Sequence, residues 1–335
     1  MRAIFDKLNN SYAKYYSLTE HLVVDEIIVL FKRRVIYKWY IPKKYKWFGI
    51  QLYKLCNYMG YTYNITVYLH KDRKLVTPSM TATHVTVTGL AARIEHVGHK
   101  LYIDNFVSSP TLFDDLHTTT INYCGTVRPN RKGMSKNFGH KMKMKRHDLE
   151  TKLKGNLRAI VWKDKQNVNV LTIIHSTPMK GSFCDEHVKA MQLARIPDYT
   201  RNRGYVDKSD HMTNSYSISR WTWKWTKKIF FQLMDFTILN NFIILASCGS
   251  RLSHWQFRMT LTRDLIQEAG RVSRPQTTRW RRQVPSMREF SAVCVPPKTK
   301  KREQNTSVEN SIYGWVQPHV LRYITPNSIS ENQLT

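Results

Sequence analysis

Two periods of apolar residues alternate along this chain. Ile4, Leu8 and Tyr12 recur every four residues and predict a helix within 1–20. HLVVDEIIVLF (21–31) is a β-branched run instead, which predicts a buried strand. Further strands are predicted at 47–56 (WFGIQLYKLC) and 61–69 (YTYNITVYL), joined through Tyr58-Met59-Gly60 as a hairpin. A helix over 88–97 places Leu90, Ile94 and Val97 on one side and ends at Gly98. HKLYIDNF (99–106) predicts a fourth strand that leads into a helix near 108–117, and 124–127 predicts a fifth. Strands at 157–163 and 168–175, a helix over 205–218 and a long apolar helix over 227–247 follow. The order of three strands, helix, strand, helix, strand, insertion and two helices predicts an α/β fold, a sheet covered by helices.

Carboxylates interrupt this apolar pattern where they are costly. Asp25 lies inside Val23-Val24-Asp25-Glu26-Ile27-Ile28, and Asp104 ends Leu101-Tyr102-Ile103-Asp104. A carboxylate in a buried strand needs a partner, and strand alternation sends Asp25 and Glu26 to opposite faces. Two acids on neighbouring strands, joined by a third from a helix, form an oxygen-rich cage suited to Mg²⁺ or Mn²⁺. Ordinary ion pairing with Lys and Arg is the alternative that the spacing leaves open.

Charge narrows the choice of partner. The 335 residues carry 53 Lys and Arg against 24 Asp and Glu, a formal net charge of +29. Such a surplus points to a polyanion, and nucleic acid rewards each neutralised phosphate with released counterions. With 41% hydrophobic residues the chain is rich enough to bury a core. The basic residues concentrate in a polar stretch over 128–165, with thirteen Lys or Arg against three acids, and again beyond 251. KMKMKR (141–146) reads as a phosphate-contacting segment, and Trp221, Trp223 and Trp225 alternate with Arg220, Lys224, Lys227 and Lys228. Aromatics beside cations can stack on unpaired bases while the charges hold phosphates.

The five cysteines are scattered with no Cys-x-x-Cys pair, which predicts neither a disulfide framework nor a closed zinc site. The amino terminus lacks a signal-peptide pattern, and the apolar segment 229–247 contains Asp235, Asn240 and Asn241, so it is expected to be a core helix with no membrane span. PPKTKKR (296–302) reads as a nuclear localisation signal within a polar tail over 296–335.

Four blocks then carry a resemblance. VDEIIVLFKRR…YIPKKYKWFGIQLYKLCNYMGYTYNITVYLHK (24–71) resembles the piggyBac transposase signature, in which an Asp-Glu strand precedes Tyr-Ile-Pro-x-Lys. YIDNFVSSPTLFDDL (102–116) is similar to the family's Asp-Asn-Phe block, and Cys124-Gly125-Thr126-Val127-Arg128 to its Gly-Thr-x-Arg strand. GYVDKSDHMTNSYSISRWTWKW (204–225) resembles the Gly-Val-Asp-x-x-Asp block and its closing Trp. Lys32-Arg33-Arg34 departs from the family's Lys-Gly-Arg turn.

The resemblance implies a ribonuclease-H-like mixed sheet flanked by helices, with a basic insertion before the last catalytic helix. It implies a catalytic, metal-binding triad of Asp25, Asp104 and Asp207, with Asp210 as a further metal ligand and no small-molecule cofactor. It also implies metal-dependent nicking of DNA, hairpin formation and joining to a TTAA target. Expected DNA contacts are Arg128, Lys141, Lys143, Lys145, Arg146, Arg220, Lys224 and Trp225, in a nuclear protein able to form a homodimer. The expected organisation is a helical remnant over 1–20, a catalytic domain over 21–130 and 201–250, a basic insertion over 131–200 and a basic tail over 251–335. Only 24 residues precede Asp25 and Cys294 stands alone, so no counterpart of the family's amino-terminal region or cysteine-rich zinc module is expected. A retained or degenerate derivative that binds DNA without transposing is therefore the alternative to an active transposase core.

Overall fold

The protein is described here by a computed structural model covering residues 2–35, 38–40, 48–69, 80–135, 138, 144–145, 148–163, 165–174, 199–218 and 221–272. The chain divides into two compact units, Met1–Ile243 and Ile244–Thr335.

The first unit is built on one mixed sheet. Its elements are α1 (Arg2–Tyr15), β1 (His21–Leu30), β2 (Lys38–Tyr40), β3 (Phe48–Asn57), β4 (Thr62–Val67), α2 (Ala82–Ala91), β5 (Lys100–Ile103), α3 (Pro110–Thr118) and β6 (Asn122–Thr126). They continue with β7 (Leu149–Lys154), β8 (Leu157–Lys163), β9 (Asn167–Thr172), α4 (Tyr205–Ser215) and α5 (Trp225–Ser247), which runs on into the second unit. The nine strands follow the order β2-β3-β1-β5-β6-β9-β8-β7, with β4 also paired to β3. β1 is antiparallel to β3 but parallel to β5, and β5 is parallel to β6. The core path β4-β3-β1-β5-β6, three antiparallel strands and then two parallel ones, is the ribonuclease-H-like arrangement. Residues 149–172 extend the same sheet, because β9 pairs antiparallel with β6.

The two faces are set by strand alternation. Leu22, Val24, Tyr53, Leu55, Leu101 and Ile103 lie in one core cluster with Val87 and Leu90 of α2 and Leu112, Phe113 and Leu116 of α3. His84 and Asp115 tie these two helices together at 2.7 Å. The neighbouring residues on each strand point the other way, toward α4 and α5.

Polar side chains inside the helices serve the sheet edge. Asn9 of α1 donates to the Ile65 carbonyl at 2.9 Å and accepts from the Ile65 N–H at 3.0 Å. Asn240 of α5 makes the same two-way contact with Thr62, at 2.8 Å in each direction. Two amides thereby occupy backbone groups that an edge strand would otherwise leave open. Asp235, fully buried, accepts from Ser217 Oγ at 2.9 Å and from the Ile218 N–H at 3.0 Å. Asp235 and Asn240 of α5, the one helix among the described residues long and apolar enough to cross a membrane, thus have intramolecular partners.

Four elements differ from the sequence expectation, the first being β2, a three-residue strand formed by pairing with β3. The helix expected at 88–97 starts earlier, because Thr81 caps it by accepting from the His84 N–H at 3.2 Å; it ends at Ala91, leaving Val97 exposed. β7, with alternating charged residues, was not foreseen, since only its pairing with β8 makes it a strand. The second unit contains α6 (His254–Val272), where only basic, polar chain was expected. Its signal is a reciprocal cap: the Ser253 N–H donates to Gln256 Oε1 at 2.9 Å and the Gln256 N–H to Ser253 Oγ at 3.3 Å.

Candidate functional site

Parallel pairing brings two of the three expected carboxylates together. Val24 of β1 lies beside Ile103 of β5, so the next residues, Asp25 and Asp104, stand side by side on neighbouring strands. Val24 and Ile103 belong to the core cluster under α2 and α3, so Asp25 and Asp104 face the opposite side. Glu26 takes the other face, where it is opposite Tyr53. Asp25 and Asp104 are both half-buried, and Asp25 Oδ1 accepts from the Glu26 N–H at 2.7 Å. Burial, with the charges of Glu26, Asp25 and Asp104 nearby, holds the Tyr53 phenol well above the usual tyrosine range.

A dense set of contacts fixes the backbone around Asp104. Its carbonyl accepts from the Ser108 N–H at 3.1 Å and from Ser108 Oγ at 2.9 Å. Thr126 Oγ1 donates to Asp104 Oδ1 at 3.4 Å and lies 3.1 Å from the Tyr199 hydroxyl, which also donates to the Ile103 carbonyl at 3.3 Å. Burial pushes the Tyr199 phenol up to about 12, and Asp104 adds to that shift, so the hydroxyl stays a donor. Arg131 donates to the carbonyls of Asn105 and Phe106 and braces the turn from outside. Gly125 explains why this block needs a glycine: an added Cβ would meet the Ile103 carbonyl oxygen and Ser108 Oγ at 2.7 Å each.

The other expected acids sit on α4, which buries Val206, Ser209 and Thr213. Asp207 is exposed in the first turn, where a carboxylate also suits the helix dipole, and Asp210 is half-buried one turn later. Lys54, at 0% exposure, joins this helix to the sheet. It pairs with Asp25 across β1 and β3, donates from Nζ to Ser209 Oγ at 2.9 Å and lies 4.3 Å from the Phe236 ring centroid of α5. Lys208 Nζ donates to the Tyr58 carbonyl at 3.1 Å, and Gly60, at φ +89°, lets the hairpin approach Ser209 closely.

The all-oxygen donor set has the chemistry for Mg²⁺ or Mn²⁺. Among the described residues, however, no three His, Cys, Asp or Glu side chains are gathered closely enough to hold a metal ion. The acids therefore share a side of the sheet without forming a closed cage.

Several of the expected cationic and aromatic groups are exposed. Arg128 is exposed two residues beyond Thr126, with its guanidinium 5.7 Å from the Phe106 ring centroid. Lys224 is exposed and Trp225 half-buried at the start of α5. Trp221 and Trp223 are 76% and 60% exposed, edge to face with each other, and the Arg33 guanidinium lies 3.5 Å from the Trp223 ring centroid. Lys145 is exposed, and its backbone N–H donates to Asp148 Oδ2 at 2.6 Å. Lys141, Lys143, Arg146, Arg220, the basic segment 296–302 and the rest of the tail to 335 lie outside the described residues.

Sequence reasoning missed Lys54, Thr126, Arg131 and Tyr199. Lys54 had a legible signal, since it interrupts the apolar run IQLYKLC as Asp25 interrupts its own. Arg131 and Tyr199 had none, because their partners are remote in sequence.

Comparison with known proteins agrees with this fold. Residues 1–242 match the family described as Transposase IS4, one of the DDE transposases. A cryo-EM structure of the piggyBac transposase synaptic complex with hairpin DNA superposes with a TM-score of 0.69 at 22% identity. That match covers 87% of this chain and 63% of the other, so the chain spans less than two thirds of the protein it resembles.

Proposed function

Because the chain belongs to the Transposase IS4 family, whose DDE members generally use divalent metal ions, we propose that it is the catalytic core of a piggyBac-type DNA transposase. The observation that carries this reading is the side-by-side placement of Asp25 and Asp104 on parallel strands, with the Asp207 and Asp210 helix packed over the same face. In this reading Asp25, Asp104 and Asp207 hold Mg²⁺ or Mn²⁺, with Asp210 alongside. When bound, the metal supplies charge stabilisation at phosphorus and activates the attacking oxygen. Thr126 and Tyr199 fix the position of Asp104 and its strand end, and Arg131 holds the turn that follows. Arg128, Lys145 and Lys224 contact phosphates, as would Lys141, Lys143, Arg146 and Arg220.

Trp221, Trp223 and Trp225 offer stacking surfaces for unpaired bases, with Arg33 completing a cationic platform at Trp223. DNA is the partner, in the nucleus and as a homodimer. The test is cleavage of pre-nicked element ends by the purified chain with Mn²⁺. Asp104→Asn is expected to lower the rate by more than the about 100-fold range typical of outer-shell changes while the fold stays intact. Equal rates for the two proteins would remove Asp104 from catalysis.

A second reading, DNA binding without strand cleavage, is favoured by the lack of a gathered three-ligand group among the described residues. It is identified by salt-sensitive DNA affinity that Asp104→Asn leaves unchanged, with no cleavage by the unaltered chain.

A further inference from the structure

Lys54 is the buried charge that the proposed chemistry does not use. Lysine usually extends its ammonium to water, yet this side chain is wholly enclosed. Its Nζ donates to the Ser209 hydroxyl at 2.9 Å and lies 4.3 Å from the Phe236 ring centroid. A buried ammonium is sustained by nearby negative charge, and this face supplies it. Asp25 is the direct cross-strand neighbour of Lys54, and such pairs hold their Cβ atoms about 5 Å apart. Asp210 follows Ser209, the residue that Lys54 reaches. Cys56, next along the same face of β3, is pushed up by burial and then feels Lys54 and Asp25 in opposite senses, so both fields act within one small volume.

We propose that Lys54 is a built-in cation of the carboxylate site, and that it holds the affinity of this chain for divalent metal down by balancing Asp25 and its neighbours itself. The inference rests on the reading of Asp25 as a metal ligand. A metal ion entering here meets a fixed positive charge that no solvent screens, and the lysine stem fills part of the space beside Asp25. The same contact ties α4 to β3 through Ser209. A purely structural staple would need only a donor of the right length, so charge is what the test isolates.

The experiment is Mn²⁺ titration of the full chain at fixed pH, followed by loss of the free-ion spin-resonance signal. It compares the unaltered protein, Asp25→Asn, Lys54→Met, and Lys54→Met combined with Asp25→Asn. Lys54→Met keeps stem length and removes the charge. It is expected to bind Mn²⁺ at least about tenfold more tightly than the unaltered chain, as loss of a buried like-charge repulsion predicts. The double variant is expected to lose that gain. Equal affinity with and without Lys54 overturns the proposal. If the unaltered chain binds tightly and Asp25→Asn abolishes binding, the metal-site reading stands and the role of Lys54 falls. If none of the proteins binds, both fall. Should Lys54→Met fail to fold by circular dichroism, Lys54→Gln, which retains a donor toward Ser209, carries the same comparison.

Discussion

The strand-borne and helix-borne halves of the candidate site are held in different ways. Asp104 stands where a parallel strand ends, and Ser108, Thr126, Tyr199 and Arg131 all bond to it or to the backbone on either side. Asp207 and Asp210 ride on a helix tied to the sheet by Lys54 at Ser209 and to the hairpin turn by Lys208 at the Tyr58 carbonyl. Strand register positions one half almost by itself, whereas the docking of an eleven-residue helix positions the other. The difference suits a site with a rigid platform and an acid-bearing helix that completes it.

Substitutions near Asp104 should therefore cost more stability than those near Asp207. The largest effect is expected for Gly125→Ala. Its new Cβ would strike a backbone carbonyl and the Ser108 hydroxyl, and overpacking of this kind costs about 1–3 kcal/mol. Urea denaturation measures this, and a change smaller than that of surface substitutions would show that the platform is not tightly packed. Tyr199→Phe comes next. It removes the hydroxyl from Thr126 and from the Ile103 carbonyl and should cost about 1 kcal/mol, also by denaturation. Lys208→Ala should be the mildest, within about 0.5 kcal/mol, since its contact with Tyr58 is exposed. Hydrogen exchange along α4 would sharpen the comparison: faster exchange there than in β5 and β6 is expected, and equal protection would erase the distinction between the two halves.

The candidate site was legible in part. Asp25 and Asp104 announced themselves because a carboxylate within a β-branched run conflicts with its surroundings, and alternation along the strand separated Asp25 from Glu26. The same rule applied to Lys54 would have exposed a charge of opposite sign in the next strand. The hairpin at 57–61 was legible because its determinants are local. Asn57 Oδ1 accepts from the N–H groups of Met59 and Tyr61, and Gly60 adopts a positive φ. The start of α2 was misread because its β-branched residues blur the helical period, while the Thr81 cap that fixes it is a single side chain.

Sequence alone determined the order of most strands and helices of the first unit, the strand positions of Asp25 and Asp104, the polar residues within α5 and the basic character of the chain. Each depends on neighbours within a few residues, where periodicity, turn chemistry and desolvation cost act. Tertiary structure decided that β1 and β5 pair in parallel with Val24 beside Ile103, that 149–172 join the sheet, and that Lys54 lies under α4 beside Asp25. Parallel pairing joins residues about eighty positions apart, and its register is set by packing against helices on both faces. No local pattern encodes that distance, so the meeting of the carboxylates and the lysine is a property of the folded sheet.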